Sequence, residues 1–175
     1  FGNNWQVTTG LSYGYSKNKL GLDLDKLNND ENASHLKFKL RKSISQHVKL
    51  AFGTDYFITR FNEVFTPNSG FGGTSGYNSS IAAAFAEGDI LFTKNFAAKV
   101  GVRASYNDLL DETAVAPRVS LAYKLNKTSQ FSFAYGDFTQ APSVDFIKYS
   151  KMHQFESEKA SHNILNFQYN NDRQT

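Results

Sequence analysis

Cysteine is absent from the 175 residues, so neither a disulfide framework nor a zinc site built on thiolates is available to this chain. Long hydrophobic runs are absent as well. The longest stretch that is both uncharged and largely apolar covers only residues 79–86, whereas a membrane-crossing helix needs roughly 20. The sequence therefore excludes a helical membrane span. Membrane strands would escape this test, because they alternate lipid-facing and polar residues and so have a low mean hydropathy.

A strong excess of charge of one sign is also missing. The 19 basic and 16 acidic residues leave a net charge of +3 that is spread along the chain, and we therefore predict no nucleic-acid partner. Aromatic residues, by contrast, are plentiful, with 16 Phe and nine Tyr, and such residues suit the pleated surface of a β-sheet.

Apolar and polar side chains alternate with a period of two in segment after segment, which predicts strands because helical neighbours lie three and four residues apart. The alternation blurs through Phe57, Ile58 and Phe61, where we expect a bulge or a bend. Eight strands are predicted, around residues 5–16, 36–41, 48–56, 79–92, 96–106, 118–125, 131–136 and 165–170.

The segments between these strands alternate in length. Long connections are expected at residues 17–33, 62–78, 107–116 and 137–161, and short ones at 42–46, 93–95 and 126–130. In an up-and-down membrane barrel, short turns emerge on one side and longer loops on the other. We therefore predict an all-β fold, an antiparallel up-and-down transmembrane β-barrel of about eight strands. The alternative is a soluble antiparallel sheet with one wet face, which produces the same alternation of side chains.

Residues 116–147 (APRVSLAYKLNKTSQFSFAYGDFTQAPSVDFI) and 155–169 (FESEKASHNILNFQY) resemble the later barrel region of TonB-dependent outer-membrane receptors. The resemblance lies in a Pro-Arg pair that opens a strand, an aromatic strand that ends in Tyr-Gly, and an Ala-Pro-Ser element in the following loop. A Glu-Lys element and a strand that begins near Ser161, His162 and Asn163 come next. These motifs cover about a third of the chain, and the remainder fits the same architecture without a specific motif.

The resemblance implies that residues 1–175 are a single segment of barrel wall, cut from a larger barrel of roughly 22 strands. The 175 residues contain no segment that resembles the plug domain or the TonB-interacting box, and residues 1–5 show no export signal. We therefore expect the chain to begin in mid-protein.

The function that the resemblance implies is transport across the outer membrane of a Gram-negative bacterium. The expected partners are outer-membrane lipid, a small nutrient ligand such as an iron chelate, a vitamin or a glycan, and the plug domain and TonB system of the intact protein. The alternative functions are a small stand-alone outer-membrane barrel, or a soluble β domain that acts as a binding or structural module.

Four basic residues are the candidate site residues, since the alternation places them on the polar face of neighbouring strands. In a barrel they would face the lumen, where they could meet the plug or an anionic substrate, although solvated charges without a specific role are the alternative. No motif indicates a catalytic centre, a metal site or a cofactor, so an enzyme is not predicted. The four residues are Lys99, Arg103, Arg118 and Lys124.

Overall fold

A computed structural model of the protein describes residues 4–22, 25–143 and 155–170. These residues form one sheet of eight antiparallel strands, each paired with its neighbours in the chain. No helix long and apolar enough to cross a membrane occurs among them. The strands are β1 (Trp5–Leu22), β2 (Asp25–Ser43), β3 (Val48–Thr66), β4 (Gly73–Leu91), β5 (Phe96–Asn107), β6 (Glu112–Lys124), β7 (Ser129–Gln140) and β8 (Glu158–Tyr169). The eight predicted strands and their up-and-down order are confirmed.

The sheet has two faces of opposite character. Every second residue points to one of them, and the register keeps this division across all eight strands. The apolar face carries Val7, Leu40, Phe52, Val102 and Leu121. The polar face carries Lys39, Asp55, Glu87, Lys99 and Arg118.

Neither face is covered within the described part of the chain. None of its large side chains is fully buried, and the apolar rows are exposed, up to 82% at Leu11 and 77% at Leu165. A water-soluble sheet would bury one such row against a second layer. The apolar rows therefore require another apolar environment.

The strands are staggered in the way that a barrel wall requires. The ladders place Lys42, Leu50, Gly88 and Val100 in one row, which continues into β6. Counted from this row toward the short turns, the last strand pair before each turn lies one, three and five residues away. These last pairs are Ser43–Lys49, Leu91–Ala97 and Lys124–Gln130. A stagger of one residue per strand, with a rise of about 3.3 Å and a strand spacing of about 4.8 Å, corresponds to a tilt of about 35°. Strands of closed barrels tilt by a similar angle.

The three short turns share one design. In each, a side-chain oxygen at the second position of the turn accepts hydrogen bonds from the backbone N–H groups two and three residues later, at 2.8–3.2 Å. This local bond satisfies backbone donors that the ladder leaves free at a tight reversal. The accepting residues are Ser45, Thr93 and Asn126.

The predicted long connections were wrong in extent, because strands continue through most of them. Strands β1 to β4 are 18 or 19 residues long, about twice the 9–11 residues that cross a bilayer. Residues 17–22 pair with residues 25–30, and residues 31–33 pair with residues 14–16, so the first predicted loop is largely a polar hairpin. The third predicted loop shrinks to residues 108–111.

Polar side chains hold the extended hairpin together where the apolar pattern has stopped. The Tyr13 hydroxyl donates to Asn32 at 2.8 Å, the Tyr15 hydroxyl donates to Asp30 at 3.2 Å, and Lys17 lies 3.5 Å from the same Asp30 carboxylate. Cross-strand pairs of this kind stabilise a solvated ladder. Apolar alternation marks only the part of a strand that meets an apolar environment, so it could not reveal this extension.

The expected bulge in β3 is also wrong, since the pairing of β3 with both neighbours is continuous from residue 49 to residue 65. The pattern blurred because the polar face itself carries aromatic rings at this height. Phe57 stacks on His35 with ring centroids 3.9 Å apart, and Phe61 stacks on Tyr77 at 5.8 Å. The side chains of these aromatic residues still point to alternate faces of the sheet. Only the alternation of apolar and polar residue types is broken.

Gly53 marks the tightest packing on the polar face. A Cβ built at this position would lie 2.6 Å from the backbone oxygen of Phe38, and it would also overlap the ring of Phe85. Gly14 points to the same face from β1 and has no atom within 4 Å of an added Cβ. Only a residue without a side chain fits beneath the Phe85 ring.

We expect Gly53→Ala to destabilise the protein by about 1–3 kcal/mol, the usual cost of an added methyl group in a packed site. Gly14→Ala should be neutral or slightly stabilising, because Ala loses less backbone entropy than Gly in a strand. Urea unfolding followed by circular dichroism would compare the two. Equal unfolding midpoints for both variants would contradict the packing at Gly53.

Candidate functional site

The four predicted basic residues all lie on the polar face. Lys99 and Arg103 are on β5, and Arg118 and Lys124 are on β6. Lys99 and Arg118 line one cavity of about 300 Å³, and Arg103 and Arg118 line two others of about 270 and 160 Å³. Lys124 stands apart at the short-turn end of β6, opposite Gln130.

Three carboxylates that the sequence analysis did not single out lie among these basic residues. Asp55 is 6% exposed and accepts from Arg103 at 2.6 Å and from His35 at 3.1 Å. Glu87 lies 3.6 Å from both Lys39 and Lys99. Asp89 contacts Arg41 and lies 3.7 Å from Lys99. Each carboxylate thus contacts two basic side chains, and the wall is a network of paired charges. Glu87 and Asp89 are two residues apart in β4, and this spacing alone predicts that both carboxylates point to the same face.

Small residues allow these ion pairs to reach across an intervening strand. Arg41 on β2 crosses β3 to reach Asp89 on β4, and Ala51 beneath it is 4% exposed. Arg103 on β5 crosses β4 to reach Asp55 on β3, and Ala83 beneath this pair is 7% exposed. Larger side chains at Ala51 or Ala83 would separate the charges.

Arg118 is held by stacking on an aromatic ring. Its guanidinium carbon lies 4.8 Å from the centroid of the Phe138 ring, and the centroid of the His162 ring lies 4.9 Å from that of the same Phe138 ring. Gly136 separates Arg118 from His162 in the register, and a Cβ there would lie 3.2 Å from the Phe138 ring. No carboxylate on the described strands is within ion-pair distance of Arg118. A cation over an aromatic face is attracted by the ring's quadrupole, which orients the guanidinium.

Charge on the polar face is divided by height. Toward the short turns, eight Lys and Arg residues accompany three carboxylates, and toward the opposite end the described strands carry five carboxylates and no Lys or Arg on this face. The basic group is Lys37, Lys39, Arg41, Lys49, Lys99, Arg103, Arg118 and Lys124, with Asp55, Glu87 and Asp89 among them. The five other carboxylates are Asp25, Glu31, Glu63, Glu112 and Glu158.

On the apolar face, charge is confined to the two ends. Strands β4, β5 and β6 carry no charged residue on this face. On β3, its uncharged positions extend from Val48 to Ile58 before Arg60 follows, which matches the 9–11 residues of a membrane-crossing strand. At the short-turn end, the Lys42 ammonium lies 4.7 Å from the centroid of the Trp5 ring.

No group of three or more His, Asp or Glu residues that could hold a metal ion occurs within the described ranges. Two of the histidines instead contact rings and one carboxylate: His35 contacts Phe57 and Asp55, and His162 contacts Phe138. The contacts of the charged and aromatic residues described above are therefore ion pairs and ring stacking.

Comparison with known families agrees with this geometry. A family model described as TonB dependent receptor-like, beta-barrel matches residues 1–172. No curated protein matches the chain, and no solved structure does. The family is one of transporters and not of enzymes, it belongs to the bacterial outer membrane, and its intact members include a plug domain and work with TonB. The chain therefore belongs to the TonB-dependent receptor β-barrel family, and its eight antiparallel strands are a segment of such a barrel.

Proposed function

We propose that this chain forms part of the barrel wall of a transporter that takes up a scarce nutrient, such as an iron chelate, a vitamin or a glycan, across the outer membrane of a Gram-negative bacterium. In this proposal the apolar face contacts lipid and the polar face lines the lumen, so Lys99, Arg103, Arg118 and Lys124 face the lumen. Residues 1–175 then act as one wall segment beside the plug domain of the intact protein.

The observation that carries the proposal is an uncharged band on the apolar face between two aromatic girdles. Taking the stagger of the strands into account, eight rings of the apolar face fall at two heights about eight to ten residues apart, as Phe96 and Tyr106 do on β5. The band between them carries Phe side chains and aliphatic residues. Aromatic girdles at both interfaces are typical of outer-membrane barrels. The lower girdle is Trp5, Phe96, Tyr123 and Tyr169, and the upper one is Tyr13, Tyr15, Tyr56 and Tyr106.

Contacts at the edges of this band support the assignment of the faces. Lys42 extends along the Trp5 ring at the short-turn rim, as a basic side chain does when its stem lies in lipid and its ammonium reaches the headgroups. The opposite face presents paired charges, which would be unfavourable in hydrocarbon but are stable in a water-filled lumen or against a plug. The face chemistry thus matches lipid on one side only.

The intact protein should fractionate with the outer membrane and migrate as a faster, heat-modifiable band in gels until it is boiled in detergent. Uptake of its nutrient should require TonB. Membrane fractionation and gel mobility test the barrel, and uptake in strains with and without TonB tests the energy source. A monomer that is soluble in buffer without detergent would refute the membrane assignment.

A charge on the apolar face should harm the barrel, whereas the same charge on the polar face should not. We expect Val119→Arg to cost about 2–4 kcal/mol, as arginine does on the lipid face near the bilayer midplane. Ala122→Arg lies on the same strand but on the polar face, and it should cost less than about 1 kcal/mol. The fraction of heat-modifiable protein and the urea midpoint in lipid vesicles would report both. A larger loss for Ala122→Arg would reverse the assignment of the faces.

A further inference from the structure

Arg118 differs from four other basic residues of the polar face because no carboxylate on the described strands lies within ion-pair distance of it. Lys39, Arg41, Lys99 and Arg103 each contact Glu87, Asp89 or Asp55. Within the described residues, the charge contact of Arg118 is with the Phe138 ring. In a guanidinium stacked on a ring, the planar N–H edges stay available. Such edges bind a carboxylate or a phosphate with two parallel hydrogen bonds.

The cavity of about 300 Å³ beside Arg118 has two chemically different sides. Lys99 and Ser120 line its polar side on β5 and β6, and Ala134 and Ile164 line its apolar side on β7 and β8. On the polar face β7 carries no charged residue at all. A volume near 300 Å³ is at the small end of ligand pockets. The cavity therefore suits a small molecule with one anionic end and one apolar end.

Glu87 also lines this cavity and would repel an anion. Its carboxylate lies 3.6 Å from Lys39 and 3.6 Å from Lys99, so its charge is countered by two ammonium groups. Around the cavity the basic groups therefore outnumber the acidic one. The His162 ring, which also lines the cavity, adds a further N–H donor.

We propose that the Arg118 cavity is a binding site for a small amphipathic oxyanion, with its carboxylate or phosphonate on Arg118 and its apolar part between Phe138, Ala134 and Ile164. This inference rests on the proposed function, because it takes the polar face as the lumen of a transporter. It names the chemical class that this wall selects. Arg118 contributes the specific contact and Phe138 holds it in position, while Lys99 adds long-range attraction.

The test is calorimetric titration of the intact receptor in detergent with phenylphosphonate and with benzoate. Benzamide carries the ring without the charge, and inorganic phosphate carries the charge without the ring. We expect both aromatic anions to bind, and benzamide and phosphate to bind at least about 10-fold more weakly. Binding should weaken as salt is raised, since salt screens the attraction.

Arg118→Gln should weaken binding of phenylphosphonate by about 10- to 100-fold, the effect of losing a charged hydrogen-bond partner. Arg118→Lys keeps the charge but loses the pair of parallel N–H donors. Its affinity for phenylphosphonate should lie between those of the wild type and Arg118→Gln. Lys124→Gln is the matched control, because Lys124 is on the same strand and face but outside this cavity. Its affinity should stay within about twofold of the wild type.

A wild-type receptor that binds neither aromatic anion would overturn the proposal, whether the cavity is filled by another part of the protein or is a solvated depression. Equal affinities for wild type and Arg118→Gln would overturn it too. Gel mobility of the same samples separates this outcome from failure of the proposed function. A heat-modifiable, membrane-inserted receptor without anion binding leaves the transport role standing and removes only this site.

Discussion

The hydrogen-bond ladder between neighbouring strands is the constraint on which the rest of the structure depends. A one-residue slip in any ladder would move a whole row of side chains to the opposite face. In β2 such a slip would bring Lys37, Lys39 and Arg41 to the apolar face and Leu36, Phe38 and Leu40 to the polar one. The turns at Ser45, Thr93 and Asn126 set each hairpin locally, and the ion pairs across β3 and β4 align the hairpins with one another. The pairing register thus determines both the separation of charged from apolar side chains and the stagger of the strands.

Period two was sufficient to predict eight strands, their order and the division of their side chains between two faces. The pattern failed where the polarity of a side chain does not match the face to which the side chain points. Phe57 and Phe61 suggested a bulge because they are apolar, yet they point to the polar face in an unbroken ladder. The polar hairpin that follows Tyr15 has the opposite property, since its residues pair as strands although they form no apolar row. Its sequence therefore predicted a loop. The connections were predicted wherever apolar alternation is absent, and a strand with both faces in water lacks apolar alternation too.

The candidate site was predicted only in part, because the sequence gives faces but not cross-strand partners. Lys99, Arg103 and Arg118 could be assigned to one face from alternation alone. The contact of Arg103 with Asp55 requires the register of three strands and a small residue at Ala83. The stacking of Arg118 on Phe138 depends in the same way on Gly136, which lets the Phe138 ring take the space beside Arg118. Glycine and alanine in these strands are therefore as informative about the site as the charges are.

The two edges of the sheet determine how this wall can exist in a membrane. Among the described strands β1 pairs only with β2 and β8 only with β7, so a row of backbone N–H and C=O groups remains on each outer edge. In hydrocarbon each such group without a partner costs several kcal/mol. An edge that crosses the bilayer with ten residues would cost more than the net stability of a typical domain, about 5–15 kcal/mol. The exposure of Leu11 and Leu165 on these edge strands has the same cause. Both edges must therefore find partner strands in the membrane, as they do when the eight strands are a segment of the closed barrel of this family.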